Sequence, residues 1–223
     1  MLNKITKETT LIIIDWDDTL LPSSAILKEI EDNNKIIFNM DFDIKSYDKC
    51  KNEINIILID FVKYIKTLGK VVIITSSKKN WVIYSAKEYL SCEAVDILEE
   101  TDIYYVDEVL NKWGLKNTLI EKKKQVVFEL VIKEWINMLN DINDKKINII
   151  SLGDGFQELN AYFYISEKSI LNEKYDMIYK HIKYLNFPTY NELLREYKLV
   201  KNSLINIINS YDSNYYKIKI VFE

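Results

Sequence analysis

Apolar residues along the chain fall into two alternating periods, one of buried strands and one of amphipathic helices. Thr10 to Asp15 is a short β-branched apolar run that ends on an acid, the pattern of a parallel strand buried on both faces. From Cys50 to Leu68 the apolar positions Ile54, Ile57, Leu58, Phe61, Val62, Ile65 and Leu68 recur at three- and four-residue steps, and Gly69 supplies a helix stop. A second buried strand, Val71 to Thr75, follows. The alternation continues with a helix over Trp81 to Leu90, a short strand at Ile103 to Val106, a long helix from Leu119 to Leu139, and a strand at Ile147 to Leu152. A helix near Gln157 to Ile165 and a fifth strand at His181 to Asn186 come next, and Pro188 is placed to open the helix carrying Tyr190, Leu193, Leu194 and Tyr197. The period-two tail Tyr216, Ile218, Ile220, Phe222 reads as a half-buried edge strand. Repeated strand–helix units predict an α/β fold, a doubly wound, mainly parallel Rossmann-like sheet with right-handed crossovers.

Length is consistent with that picture: 223 residues suit one α/β domain spanning 1–223. The irregular stretch is Pro22 to Tyr47, where a short helix (Ser24 to Glu31) precedes DNNKIIFNMDFDIKSYD. It reads as a flap or minimal cap insertion over 22–47.

Scarce residue types exclude several chemistries. There is one His (His181) and one Arg (Arg195), and the two cysteines, Cys50 and Cys92, are isolated from His181 and from each other, so no zinc set is present. A cysteine phosphatase needs a thiolate beside an anion-clamping Arg, and neither Cys has one near. Neither a P-loop nor a dinucleotide fingerprint occurs. A net charge of −4 with Lys and Glu interspersed offers no footprint for nucleic acid. No apolar run spans a membrane and the start carries no signal-peptide pattern, so a cytoplasmic, reducing location is expected, with both cysteines as packing residues. His181 is expected to be structural or on the surface.

In a doubly wound sheet, ligands bind outside the carboxyl ends of the strands. After the first strand comes Asp15-Trp16-Asp17-Asp18-Thr19-Leu20, after the second Thr75-Ser76-Ser77, and after the fourth Gly153-Asp154-Gly155 with Glu158 following. Lys122, Lys123 and Lys124 open the long helix between them. Asp15 and Asp17 are two residues apart, so both side chains can lean to one side at a strand end. One can then attack phosphorus while the other handles the leaving group's proton. Asp154 adds a third acid, and crowded carboxylates with a phosphate ligand suit Mg²⁺. A Thr75 hydroxyl and one ammonium of the lysine run would hold phosphoryl oxygens. Trp16, between the two acids, should point away into the packed face.

These four segments, in this order, resemble the haloacid dehalogenase-like (HAD) superfamily of aspartyl-phosphate hydrolases. Its motifs are a strand followed by DxDx[TV][LV], a strand ending in Thr or Ser, a helix-opening Lys, and a strand followed by GDxxx[DE]. Here they read DWDDTL, VVIIT, the lysine run and GDGFQE, covering Leu11 to Glu158. The resemblance implies Asp15 as nucleophile and Asp17 as general acid and base. It implies Mg²⁺ held by Asp15, the Asp17 backbone carbonyl and Asp154, with Glu158 and Thr19 supporting. Thr75, Ser76 and a lysine would bind phosphate; Lys124 is the choice because Phe128 and Val131 continue a buried face after it, with Lys122 and Lys123 as alternatives. The strings DWDDTLLPSS and SSKKNWVIYS are similar to HAD-like proteins of unicellular eukaryotes, and GDG followed by an acid resembles the Eyes absent tyrosine phosphatases. Neither likeness implies a substrate.

Family members commonly select substrates with cap insertions. The interval from Thr75 to Lys124 is taken up by one helix, one strand and connections, and the earlier interval leaves only 22–47, so no large cap domain is expected. An open site implies a phosphatase acting on a phosphoprotein or other bulky phosphorylated substrate. The alternatives are a small-molecule (sugar phosphate or nucleotide) phosphatase and a HAD-like binding scaffold with little turnover.

Overall fold

The computed structural model describes residues 5–36, 44–139 and 146–218, with side chains described outside 32–51. Among these residues lie six strands and nine helices. In chain order they are β1 (Thr10–Ile14), α1 (Ser23–Ile36), α2 (Ile44–Leu68), β2 (Lys70–Thr75), α3 (Lys79–Tyr89), α4 (Cys92–Glu99), β3 (Asp102–Tyr105), α5 (Val106–Lys112), α6 (Ile120–Met138), β4 (Ile147–Gly153), α7 (Phe156–Lys168), α8 (Leu171–Lys174), β5 (Met177–Lys183), α9 (Tyr190–Asn209) and β6 (Asn214–Lys217). The strands form one sheet in the order β3-β2-β1-β4-β5-β6, and every pairing is parallel. This is the doubly wound, Rossmann-like α/β architecture expected from the alternating periods.

Its central strands are buried on both faces, which is why β1 and β4 read as unbroken apolar runs. Successive residues point to opposite layers. Ile12 and Ile14 pack with α2, α4 and α9 through Phe61, Ile65, Leu98 and Tyr197, while Leu11 and Ile13 pack with α5, α6 and α7 through Leu110, Phe128, Ile132 and Ile165. Trp16 is fully buried in the first of these layers and donates from Nε1 to Ser85 Oγ at 3.2 Å, so it points away from the carboxyl-end surface as expected.

Several elements differ from the sequence expectation, each for a physical reason. Strand β5 runs over Met177–Lys183, earlier than His181 to Asn186, because Lys180, His181 and Lys183 interrupt its apolar pattern yet are all buried. Two helices beyond the one expected, α4 and α5, occupy the interval between Thr75 and Lys124; at eight and seven residues each shows barely two turns of periodicity. Helix α9 is opened by a capping box of Thr189 and Glu192, and Pro188 precedes it without being its first residue. The edge strand is β6, with Tyr216 half-buried, and it adds to the sheet in parallel; Ile220 and Phe222 lie outside the described residues. Within 22–47, α1 extends to Ile36 and α2 begins at Ile44, while 37–43 lie outside the described residues. Cys92 is exposed, not packed: it opens α4 after the Ser91 cap, and Ala94 and Leu98 carry that helix's buried face. Cys50 falls among the side chains not described. Among the described residues no helix is long and apolar enough to cross a membrane.

Candidate functional site

The strand order reverses direction at β1 and β4, the topological switch point, and the chemistry-bearing side chains gather at the carboxyl ends of these two strands. Asp15 directly follows β1, and its backbone N–H still joins the ladder, donating to the Leu152 carbonyl of β4 at 3.0 Å. Lys124 enters from the first turns of α6 with only 1% of its surface exposed. Its Nζ lies 2.8 Å from Asp15 Oδ1 and also donates to Glu158 Oε1 of α7. Lys122 is exposed and Lys123 pairs with Asp107 at 2.7 Å, so Lys124 alone of the three reaches this centre.

Asp154, in the turn after β4, completes an acidic group. Asp15, Asp154 and Glu158 each present a carboxylate oxygen, all within 4.8 Å of one another. Glycines make this closeness possible. A Cβ on Gly153 would overlap Glu158 Cγ, and one on Gly155 would lie 2.5 Å from Glu158 Oε2. Side chains at either position would push Glu158 out of the centre.

Electrostatics follow from burying three acids around one ammonium. Desolvation pushes the Asp15 carboxyl up to about 8, with Lys124 opposing and Glu158 adding to the rise. Asp154 is pushed up to about 7, first by burial and then by Glu158 and Asp18. Burial acts against the Glu158 carboxylate too, but the charge and hydrogen bond of Lys124 outweigh it and hold Glu158 below its ordinary value. For Lys124, burial disfavours the charge and the two acids restore it, leaving it above the usual lysine range. The centre therefore carries more acid than base.

Asp17 is oriented differently. Its carboxylate accepts from Trp81 Nε1 at 2.8 Å, from Ser23 Oγ and from Ser77 Oγ, and it takes no part in the acidic group. The loop that carries it is tight: Asp18 adopts φ 51°, its N–H donates to the Leu21 carbonyl at 2.7 Å, and its carboxylate accepts from Ser24 N at 2.9 Å in the first turn of α1. Tyr197 Oη of α9 donates to the Leu20 carbonyl at 2.9 Å and pins the far side of that loop.

An open cleft of about 480 Å³ lies over these groups, lined by Asp15, Asp17, Thr75, Ser76, Lys124 and Glu158 among others. Thr75 Oγ1 accepts from Ser77 N at 3.0 Å, and Ser76 Oγ donates to Gln157 Oε1 at 2.8 Å across the cleft. Clefts of similar size between helices on the outer faces, such as that between α6 and α7, gather no comparable cluster. Thr19 is fully buried and does not line the cleft. Searches of family models, curated proteins and solved structures find no match to this chain.

Ser23 and Trp81, which hold Asp17 together with Ser77, carry no signature in the local sequence pattern, and the buried Lys183 carries only its charge. Buried strand lysines need partners, so a cation in β5 was a signal that could have been followed. Of the two places expected for His181, structural or surface, the first holds: it is fully buried, its Nδ1 2.8 Å from Ser151 Oγ, stacked between Tyr162 and Tyr215, and pushed by burial down to about 4.

Proposed function

We propose that this chain is a Mg²⁺-dependent phosphatase of the HAD type, hydrolysing phosphate monoesters through an aspartyl-phosphate on Asp15. The observation that carries the reading is the buried Lys124 set between Asp15 and Glu158 at the switch point of the sheet, with Asp154 beside them. An all-carboxylate donor set within 4.8 Å fits a hard divalent cation. So does Glu158 Oε2, which is buried with no hydrogen-bonding partner. Asp15, Asp154 and the Asp17 carbonyl would hold the metal, with Glu158 supporting. When bound, Mg²⁺ neutralises the acids and polarises the phosphoryl group.

The chain's own residues account for the remaining steps. An Asp15 oxygen attacks phosphorus as the bond to the leaving oxygen breaks, and Asp17 gives that oxygen its proton. Asp17 then takes a proton from the water that cleaves the aspartyl-phosphate. Lys124, Thr75 and Ser76 face the three oxygens over which the transition-state charge is spread. Because Ser23, Ser77 and Trp81 hold the Asp17 carboxylate, it is set in place before substrate arrives.

Openness bears on the substrate. No described element roofs the cleft, which supports a phosphoprotein or other bulky phosphate ester over a small ligand needing enclosure. Assay with Mg²⁺ and an aryl phosphate tests the chemistry: turnover is expected and Asp15→Asn should lower it by at least ~10³-fold. Activity surviving that substitution overturns the mechanism. Phosphopeptides assayed beside sugar phosphates and nucleotides test the substrate class.

A further inference from the structure

We propose that Lys183 is a positioning residue for Asp154, acting through the backbone of the turn that carries it. The inference rests on the reading of Asp154 as a metal ligand. Lys183 ends β5 and is paired in register with Gly153, the last residue of β4. It is 7% exposed, and its ammonium has three acceptors: the Asp154 carbonyl, the Tyr184 carbonyl at 2.7 Å and Asn186 Oδ1 at 2.7 Å. Three donors meet three acceptors, so the group is fully satisfied and has one geometry.

That geometry fixes Asp154 from both sides. The Gly153 carbonyl accepts from Tyr184 N at 2.9 Å, and the next carbonyl, that of Asp154, accepts from Lys183 Nζ. With two consecutive peptide groups anchored to β5, the Asp154 Cα–Cβ bond is aimed at Asp15 and Glu158 without its carboxylate being used as an anchor. The anchor itself is held from behind: Glu196 Oε1 of α9 accepts from Leu185 N at 2.6 Å, steadying the segment that supplies two of the lysine's acceptors. A neutral strand residue would leave the Asp154 carbonyl free and let the turn swing.

Metal binding can be read directly on the full chain by titrating Mn²⁺ and following its free EPR signal, with Mg²⁺ as competitor. Lys183→Met is expected to weaken Mn²⁺ binding about 10- to 100-fold, the usual effect of losing a group that orients a metal ligand. Lys183→Arg should recover part of the loss. Asn186→Ala, at an exposed position, should weaken binding a few-fold with folding intact. In turnover, the Mg²⁺ concentration for half-maximal rate should rise while KM at saturating Mg²⁺ stays near wild type. A folded Lys183→Met protein binding Mn²⁺ within twofold of wild type overturns the proposal, as does unchanged binding in Asn186→Ala if Lys183→Met fails to fold. If the wild type binds no Mn²⁺, or Asp154→Asn binds as the wild type does, the metal reading itself fails and takes this inference with it.

Discussion

Two lysines, Lys124 in the cleft and Lys180 in the middle of β5, are each 1% exposed and face opposite company. Lys124 sits between two carboxylates in a centre that holds a third. Lys180 donates only to neutral acceptors: Asn148 Oδ1 at 2.9 Å, and the carbonyls of Ile208 and Ser210 at 3.1 and 2.7 Å, where α9 ends. There it donates to the last-turn Ile208 carbonyl, which Asn148 Nδ2 also reaches at 3.3 Å, and to the carbonyl of the C-cap Ser210, and it sits at the negative end of the helix dipole. The consequences run in opposite directions, for Lys124 is held above the ordinary lysine range and Lys180 is pushed by burial down to about 8. Burial alone therefore does not mark a catalytic group. What distinguishes the cleft is surplus acid, which is costly to keep in a folded core unless a cation offsets it.

Removing the ammonium from the surplus-acid centre should have the largest effect. Lys124→Met leaves the ionised Glu158 buried without its counter-charge and is expected to cost about 3–5 kcal/mol in urea unfolding at neutral pH without metal. The same change should lower turnover about 10²- to 10³-fold, the usual loss on deleting a donor to transition-state charge. Unchanged stability would show that Glu158 is not ionised beside Lys124, and the contrast with Lys180 would lose its basis. A smaller effect is expected one layer out. Trp81→Phe keeps an aromatic side chain, though a smaller one, and deletes the N–H donated to Asp17, so kcat should fall about 10-fold, short of the ~10² or more that losing general acid catalysis brings. KM should barely move, since Trp81 does not line the cleft.

The same contrast explains what was legible in the sequence. β1, β2 and β4 were readable to within a residue or two because each is an unbroken apolar run buried on both faces, and α6 because its apolar positions repeat at helical spacing over 19 residues. Asp15, Thr75, Lys124, Asp154 and Glu158 were readable because a parallel sheet places strand-end and helix-start residues at one edge, whatever their separation along the chain. Local pattern does not carry the contacts between side chains. Nothing near Asp17 announces Ser77 or Trp81, 60 and 64 residues away. β5 was displaced because Lys180, His181 and Lys183 make a buried strand look like a surface segment. All three are there for their partners, and those partners come from β4, α7, α9 and the turns beside them.

Lys180 sharpens the comparison from the structural side. Lys180→Met removes a buried charge, a gain, and leaves Asn148 Oδ1 and the Ser210 carbonyl without their donor while Asn148 Nδ2 still reaches the Ile208 carbonyl, a loss of about 1–3 kcal/mol; a small net destabilisation with turnover unchanged is expected. The pH dependence separates the two contributions. Because the folded-state value, about 8, lies below the ordinary 10.5, the folded chain releases this proton first as pH rises. Between those values the unfolded chain binds more protons, so this residue makes stability increase with pH across that window. Below about pH 8 both states hold the proton and the full cost of burying the charge remains. The neutral amine formed above it still donates to two of the three acceptors without that cost. The stability difference between wild type and Lys180→Met should therefore widen from pH 8 towards 10.5, read as diverging urea midpoints. A constant difference across that range would mean that the ammonium is as well solvated as one in water, and that α9 is not capped by a desolvated charge.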